Sequence, residues 1–137
     1  MPHAKPHLLL VEDNPLDALL LQYALTHVNV LAQLEVVVSV SDFRKQLESG
    51  RKLADLFLVD LSLGDGTGFD VIQSIRSSPE NRNVPVIVFS GSDMDSDIQL
   101  AYSVGANAYV VKSSEMSYVI HALNHINEFW FDVVRLP

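Results

Sequence analysis

Cysteine is absent from the chain, which excludes a disulfide framework, a thiol nucleophile and a cysteine-bound zinc. That absence fits a cytoplasmic location. Basic charge is scarce: 9 Lys and Arg stand against 17 Asp and Glu, for a formal charge of -8. Nucleic-acid surfaces need clustered cations, so no nucleic-acid partner is expected. No apolar run approaches the ~20 residues of a membrane span. The segment Met1 to His7 carries two prolines and lacks the apolar core of a signal peptide, so no membrane partner is expected either. Neither a Gly-x-Gly-x-x-Gly nor a Gly-Lys-Ser/Thr phosphate loop occurs, which disfavours a nucleotide-binding enzyme.

What is present is apolar. Residues of that class make up 48% of 137, enough for a single core and too few residues for two ordinary domains. The whole of 1–137 reads as one domain. Short apolar runs alternate with helical periodicity along its length. His7–Val11 is a strand tipped by Glu12 and Asp13; Asn14 caps a helix that has Pro15 in its first turn. That helix carries Leu16, Leu19, Leu20, Leu21, Tyr23, Ala24 and Leu25, more apolar surface than one core-facing stripe requires. Leu34–Val40 reads as a strand, with Ser41-Asp42 opening a helix that ends at Gly50. Leu56–Val59 suits a strand covered on both faces and ends on Asp60. A helix through Phe69, Val71, Ile72 and Ile75 leads to the polar loop Pro79–Asn83. Val84–Phe89 is a strand ending at Ser90, followed by a helix over about 95–104 stopped by Gly105. Asn107–Val111 is a strand ending at Lys112, and a final helix runs from Glu115 to about Trp130. Five strands alternating with five helices predict an α/β fold, a doubly wound parallel sheet with helices on both faces.

Parallel strands bring their carboxyl ends to one edge, where ligands gather in open α/β sheets. Glu12, Asp13, Asp60, Ser90 and Lys112 all fall there. Three acids brought together repel, and a divalent cation resolves the conflict. Hard oxygen donors favour Mg²⁺, with Asp13 and Asp60 as direct ligands, Glu12 acting through water and the Ser62 backbone carbonyl adding an oxygen. A carboxylate such as Asp60 can attack phosphorus and form an acyl phosphate. The Lys112 ammonium and the Ser90 hydroxyl can then balance the equatorial oxygens. Taken singly, each residue has a plainer use. An Asp at a strand end is commonly a turn former or cap, Ser90-Gly91-Ser92 is ordinary loop composition, and a lone Lys is usually solvated. Their arrival together at one sheet edge favours the joint reading.

With these residues in place the chain resembles the receiver domains of two-component response regulators. The resemblance rests on Val11-Glu12-Asp13, Asp60, Ser90 thirty positions on and Lys112 twenty-two after that, and it spans nearly the whole chain. It implies a flavodoxin-like receiver fold and a phosphoryl group taken by Asp60 from the phosphohistidine of a histidine kinase. It also implies Mg²⁺ held by Asp13 and Asp60, and a switch in which Ser90 moves toward the phosphoryl group while the Tyr109 ring turns inward. The output is then the surface of the fourth helix, fifth strand and fifth helix. On this reading the chain is no metabolic enzyme; its chemistry is limited to its own phosphorylation and dephosphorylation. Two positions depart from the family pattern. Gly64 stands where a proline is common, which would loosen that loop. Ser113 follows Lys112 where proline is usual, and a cis peptide before serine would cost ~3 kcal/mol.

With no effector domain after Pro137, output is expected through a surface. A tail at about 129–137 contains Phe129-Trp130-Phe131. On a continued helix Phe129 would lie opposite Ile120, so one large aromatic is hard to bury unless the tail folds back over its own core. The Glu-Phe-Trp and Leu-Pro endings, with Asp17 and Gln22-Tyr23-Ala24-Leu25, look like the regulators that partner bacterial phytochrome kinases. That likeness implies a homodimer through the fourth-helix to fifth-helix side. His121 and His125 share a helix face but no third metal ligand is evident. The alternative reading is a receiver-fold interaction module that is not phosphorylated.

Overall fold

The computed structural model describes residues 5–28 and 32–137. Residues 1–4, part of the segment read above for a signal peptide, lie outside the described residues. The elements are β1 (His7–Val11), α1 (Pro15–Thr26), β2 (Gln33–Val37), α2 (Val40–Leu47), β3 (Leu56–Val59), β4 (Ser62–Leu63), β5 (Gly66–Thr67), α3 (Gly68–Ser77), β6 (Val86–Ser90), α4 (Asp95–Val104), β7 (Ala108–Val111) and α5 (Met116–Ile126). A π-helical segment, Asn127–Val133, continues from α5. The five long strands form one sheet in the order β2-β1-β3-β6-β7, every pair parallel. This is the expected five-stranded α/β receiver architecture.

Strand alternation divides the core in two. Leu9, Val11, Phe57 and Val59 face Phe43 of α2, Ile72 and Ile75 of α3 and Ala101 of α4. Leu8, Leu10, Leu56 and Leu58 face Leu21 and Ala24 of α1 and Leu123 of α5. Helices therefore cover both faces, and the central strand β3 is buried along its whole length. The surplus apolar surface of α1 is real: Ala18, Leu21 and Ala24 are buried, whereas Leu16, Leu19 and Tyr23 lie on the outside. Among the described residues no helix is long and apolar enough to cross a membrane.

Three boundaries differ from expectation. The second strand stops at Val37 instead of Val40, because Ser39 caps α2 by accepting the Asp42 N–H at 3.0 Å. The Asp65 carboxylate also takes the N–H groups of Val40 (2.9 Å) and Ser41 (3.0 Å), so these three residues are worth more as a helix start than as strand. The same contact ties down the loop that Gly64 was expected to loosen, together with the small antiparallel β4–β5 hairpin, which periodicity did not reveal. Finally, α5 ends as an α-helix at Ile126 and widens, with Val134 N–H donating to Phe129 O at 2.9 Å, the five-residue span of a π-turn. The wider turn brings Trp130 and Phe131 against the α1–α5 core and leaves Phe129 half exposed. Beyond it the tail folds back, and Lys52 Nζ donates to Pro137 O at 3.0 Å. Both expectations for the tail thus hold in part.

Asn81, read from sequence as ordinary loop, is completely buried. Its amide accepts the Leu53 N–H at 2.7 Å and donates to Arg51 O and Ser78 Oγ, joining the approach to β3 to the approach to β6. Asn81→Ala leaves those groups unpaired in the interior and should cost about 1–3 kcal/mol. Urea unfolding checks this; a loss within error of zero would show that the amide does not hold these segments.

Candidate functional site

Backbone hydrogen bonds run one residue past the end of several strands. Glu12 N–H donates to Val37 O at 3.0 Å, Asp60 N–H to Val11 O at 3.1 Å and Lys112 N–H to Ser90 O at 2.7 Å. The sheet ladder thereby fixes Glu12, Asp60 and Lys112 side by side at its carboxyl edge. Behind Asp60 the chain turns sharply into α3. A Cβ on Gly68 would lie 2.3 Å from Asp60 O, so only glycine allows this approach. Thr67 and Asp70 close a reciprocal capping box at the helix start.

The centre of the site is the Lys112 ammonium. Nζ lies 2.6 Å from Glu12 Oε2, 2.9 Å from Asp17 Oδ2 and 3.2 Å from Asp60 Oδ2. Asp13, Asp17, Asp60, Ser62, Ser90 and Lys112 line one open cleft, with Glu12 buried beneath. All five residues placed at the sheet edge from sequence therefore converge. No peptide among the described residues is cis: with Ser113 in place of proline the backbone is trans, and the amine still reaches Asp60.

Burial pushes the Glu12 carboxyl up to about 7, and the charge of Asp60 adds to it; hydrogen bonds from Lys112 and the Asn14 N–H oppose the rise. For Lys112, burial acts to lower the pKa. The hydrogen bonds to Glu12 and Asp17 and the charges of Asp60 and Glu12 outweigh it, so the group is held above its ordinary value and stays an ammonium.

Carboxylate oxygens of Glu12, Asp13 and Asp60 all lie within 4.8 Å of one another. Glu12, Asp17 and Asp60 share the Lys112 ammonium and Asp13 stands beside them without a share in it, so acids outnumber the cation at this edge. An all-oxygen donor set with uncompensated charge fits a hard divalent cation. The space beside Asp13 is narrow: a Cβ on Gly64 would lie 3.2 Å from Asp13 Oδ2.

Tyr109 is half buried against the core under α4, and its hydroxyl donates to Ser92 O at 2.8 Å instead of pointing into water. His121 and His125 stack edge to face at 4.4 Å on the exposed side of α5. Asp17 was missed as a site residue. Its signal was an acid in the first turn of a helix that starts just past Glu12 and Asp13, close enough to the strand end to reach the sheet edge. Ser92 was also missed, since it reads as loop composition.

The profile of the response regulator receiver domain family matches residues 8–124. The probable methanogenesis regulatory protein FilR2 of Methanothrix harundinacea is 30% identical, with 95% of this chain and 86% of that protein covered. The phosphorylated cyanobacterial phytochrome response regulator RcpA superposes with a TM-score of 0.88 at 32% identity, covering 98% of this chain and 99% of that one. The response regulator Rcp1 of Synechocystis is 27% identical over 95% of this chain and 92% of that protein. A solved structure of Rcp1 binds Mn²⁺ and has a TM-score of 0.81 at 27% identity, covering 96% and 99%.

If the acids hold a cation, Asp13→Asn should leave the metal-free protein at least as stable as wild type, because it relieves crowding among carboxylates. Added Mg²⁺ should raise the melting temperature of wild type and much less that of the variant; at 100 times Kd the gain is about 2.7 kcal/mol. Equal Mg²⁺-dependent shifts in both proteins would remove Asp13 from the cation site.

Proposed function

The chain belongs to the response regulator receiver domain family, and from that premise we propose that Asp60 accepts a phosphoryl group from the phosphohistidine of a histidine kinase. The observation that carries this reading is the Lys112 ammonium 3.2 Å from Asp60 Oδ2 inside an acidic cleft. An Asp60 oxygen attacks phosphorus, the phosphorus–nitrogen bond breaks and the imidazole leaves, giving an acyl phosphate. Lys112 neutralises one phosphoryl oxygen as the charge develops, and the Ser90 hydroxyl donates to another. A divalent cation, Mg²⁺ in this reading, would be held by Asp13, Asp60 and the Ser62 carbonyl, with Glu12 through a water, and would supply further positive charge to the phosphoryl group.

The whole of 1–137 acts as one receiver domain with its aromatic tail, and signals through a surface from the cytoplasm. Its kinase is of the phytochrome class. Support for that comes from the likeness to RcpA, itself a phytochrome response regulator. A homodimer forms through α4, β7, α5 and the tail, where Leu100, Tyr102, Tyr118 and Phe129 are exposed. Large contiguous apolar surfaces mark interfaces, which is the role this reading gives the four side chains.

One observation favours the second reading, an interaction module that is not phosphorylated: Lys112 is already satisfied by three carboxylates and has a structural use of its own. Incubation with a small phosphodonor and Mg²⁺, followed by intact mass measurement, separates the two. Wild type should gain one hydroxylamine-labile phosphoryl group and Asp60→Asn none. An unmodified wild type under every donor and metal condition favours the interaction module.

Sedimentation of wild type against a chain ending before Phe129 tests the dimer. Wild type should sediment as a dimer and the shortened chain as a monomer; equal masses would take the tail out of the interface.

A further inference from the structure

We infer that Ser92 is a positioning residue that couples the Ser90 hydroxyl to α4 and to Tyr109. The inference rests on the phosphoacceptor reading and extends it beyond the residues at the strand ends. Four hydrogen bonds meet at Ser92. Its N–H donates to Ser90 Oγ at 3.3 Å, its carbonyl accepts the Tyr109 hydroxyl at 2.8 Å, its own hydroxyl donates to Asp97 Oδ2 at 2.6 Å, and its Oγ accepts the Met94 N–H at 3.3 Å.

The Asp97 contact gives this arrangement its consequence. Met94, the residue just before α4, offers no side-chain cap, and the first turn of α4 is tied to the preceding loop through Ser92 and Asp97. The Ser92–Asp97 pair, at 2.6 Å with a charged acceptor, is the strong type of hydrogen bond. It fixes the β6–α4 loop and with it the direction of the Ser92 carbonyl. That carbonyl holds the Tyr109 ring beneath α4. None of the four bonds uses an atom of Asp60, so the inward place of Tyr109 is set by the loop. Ser92 and Asp97 line the same cleft as Asp60, and the Ser90 hydroxyl is the member of the network that the phosphoacceptor reading brings to the phosphoryl group. When it turns to a phosphoryl oxygen, the Ser92 N–H loses its acceptor and the loop registers the change. Ser92 and Asp97 thus hold the loop that keeps Tyr109 inward beneath the α4–β7–α5 face.

The test uses the full chain labelled with 3-fluorotyrosine, in which Tyr109→Phe identifies the Tyr109 fluorine signal among four tyrosines. Broadening by a soluble paramagnetic probe reports exposure, with Tyr23, 56% exposed, as the internal reference and fold control. Without phosphodonor, Tyr109 in wild type should be protected relative to Tyr23. Ser92→Ala and Asp97→Ala should both raise its broadening toward that of Tyr23. Ser92→Thr, which keeps the donor, and Asp97→Asn, which keeps an acceptor, should restore protection. Unchanged Tyr109 protection in both alanine variants, or an exposed Tyr109 in wild type, would overturn the inference. Adding phosphodonor and Mg²⁺ should then shift the Tyr109 signal in wild type and shift it less in Ser92→Ala. An equal shift in both would also overturn the inference. If Asp60 takes no phosphoryl group, that failure belongs to the phosphoacceptor reading, and the first comparison still decides the role of Ser92.

Discussion

One ammonium shared by three carboxylates sets the character of this molecule. Lys112 reaches Glu12 on the end of β1, Asp17 in α1 and Asp60 on the end of β3, so a single side chain from the last strand ties together elements nearly the whole chain apart. Glu12 is buried and would resist ionising without a cation beside it. Removing one member of such a buried pair typically costs about 3–5 kcal/mol. The charge balance is incomplete by construction, since Asp13 adds a further acid at the same edge. A protein that only needed a stable fold would gain by replacing these groups with apolar ones. Keeping them concentrates field strength where a phosphoryl group and a cation would be received.

The sheet makes this concentration possible. Backbone bonds beyond the strand ends hold the functional residues in register, and Gly68 lets α3 start directly behind Asp60. Two distinct surfaces follow from the same frame. Beside the cleft, α1 shows Leu16, Leu19 and Tyr23 to solvent. On the other side lie α4, β7, α5 and the aromatic tail, connected to the site through Ser90, Ser92 and Tyr109. The site therefore adjoins one apolar surface directly and reaches the second through a loop.

Much of this was legible in the sequence, for a physical reason. Fully buried strands such as Leu56–Val59 leave an unmistakable apolar run, and the polar residues that end them stand out by contrast. Helix starts chosen by long-range contacts are not legible in that way. Ser39 and Val40 look like strand until Asp65, distant in sequence, takes the helix N–H groups. Asn81 and Ser92 have loop composition, and only the folded chain shows which backbone groups they satisfy. The π-turn after Ile126 was hidden because its aromatics also fit α-helical spacing in part.

Asp60 is the covalent acceptor in the proposed chemistry, and borohydride trapping tests that assignment residue by residue. After reaction with a phosphodonor and Mg²⁺, reduction of an aspartyl phosphate leaves homoserine at the modified position, which peptide mass mapping locates. The account predicts homoserine at position 60 and at no other acid of the cleft. Homoserine at Asp13 or Asp17, or at none of the acids, would contradict it.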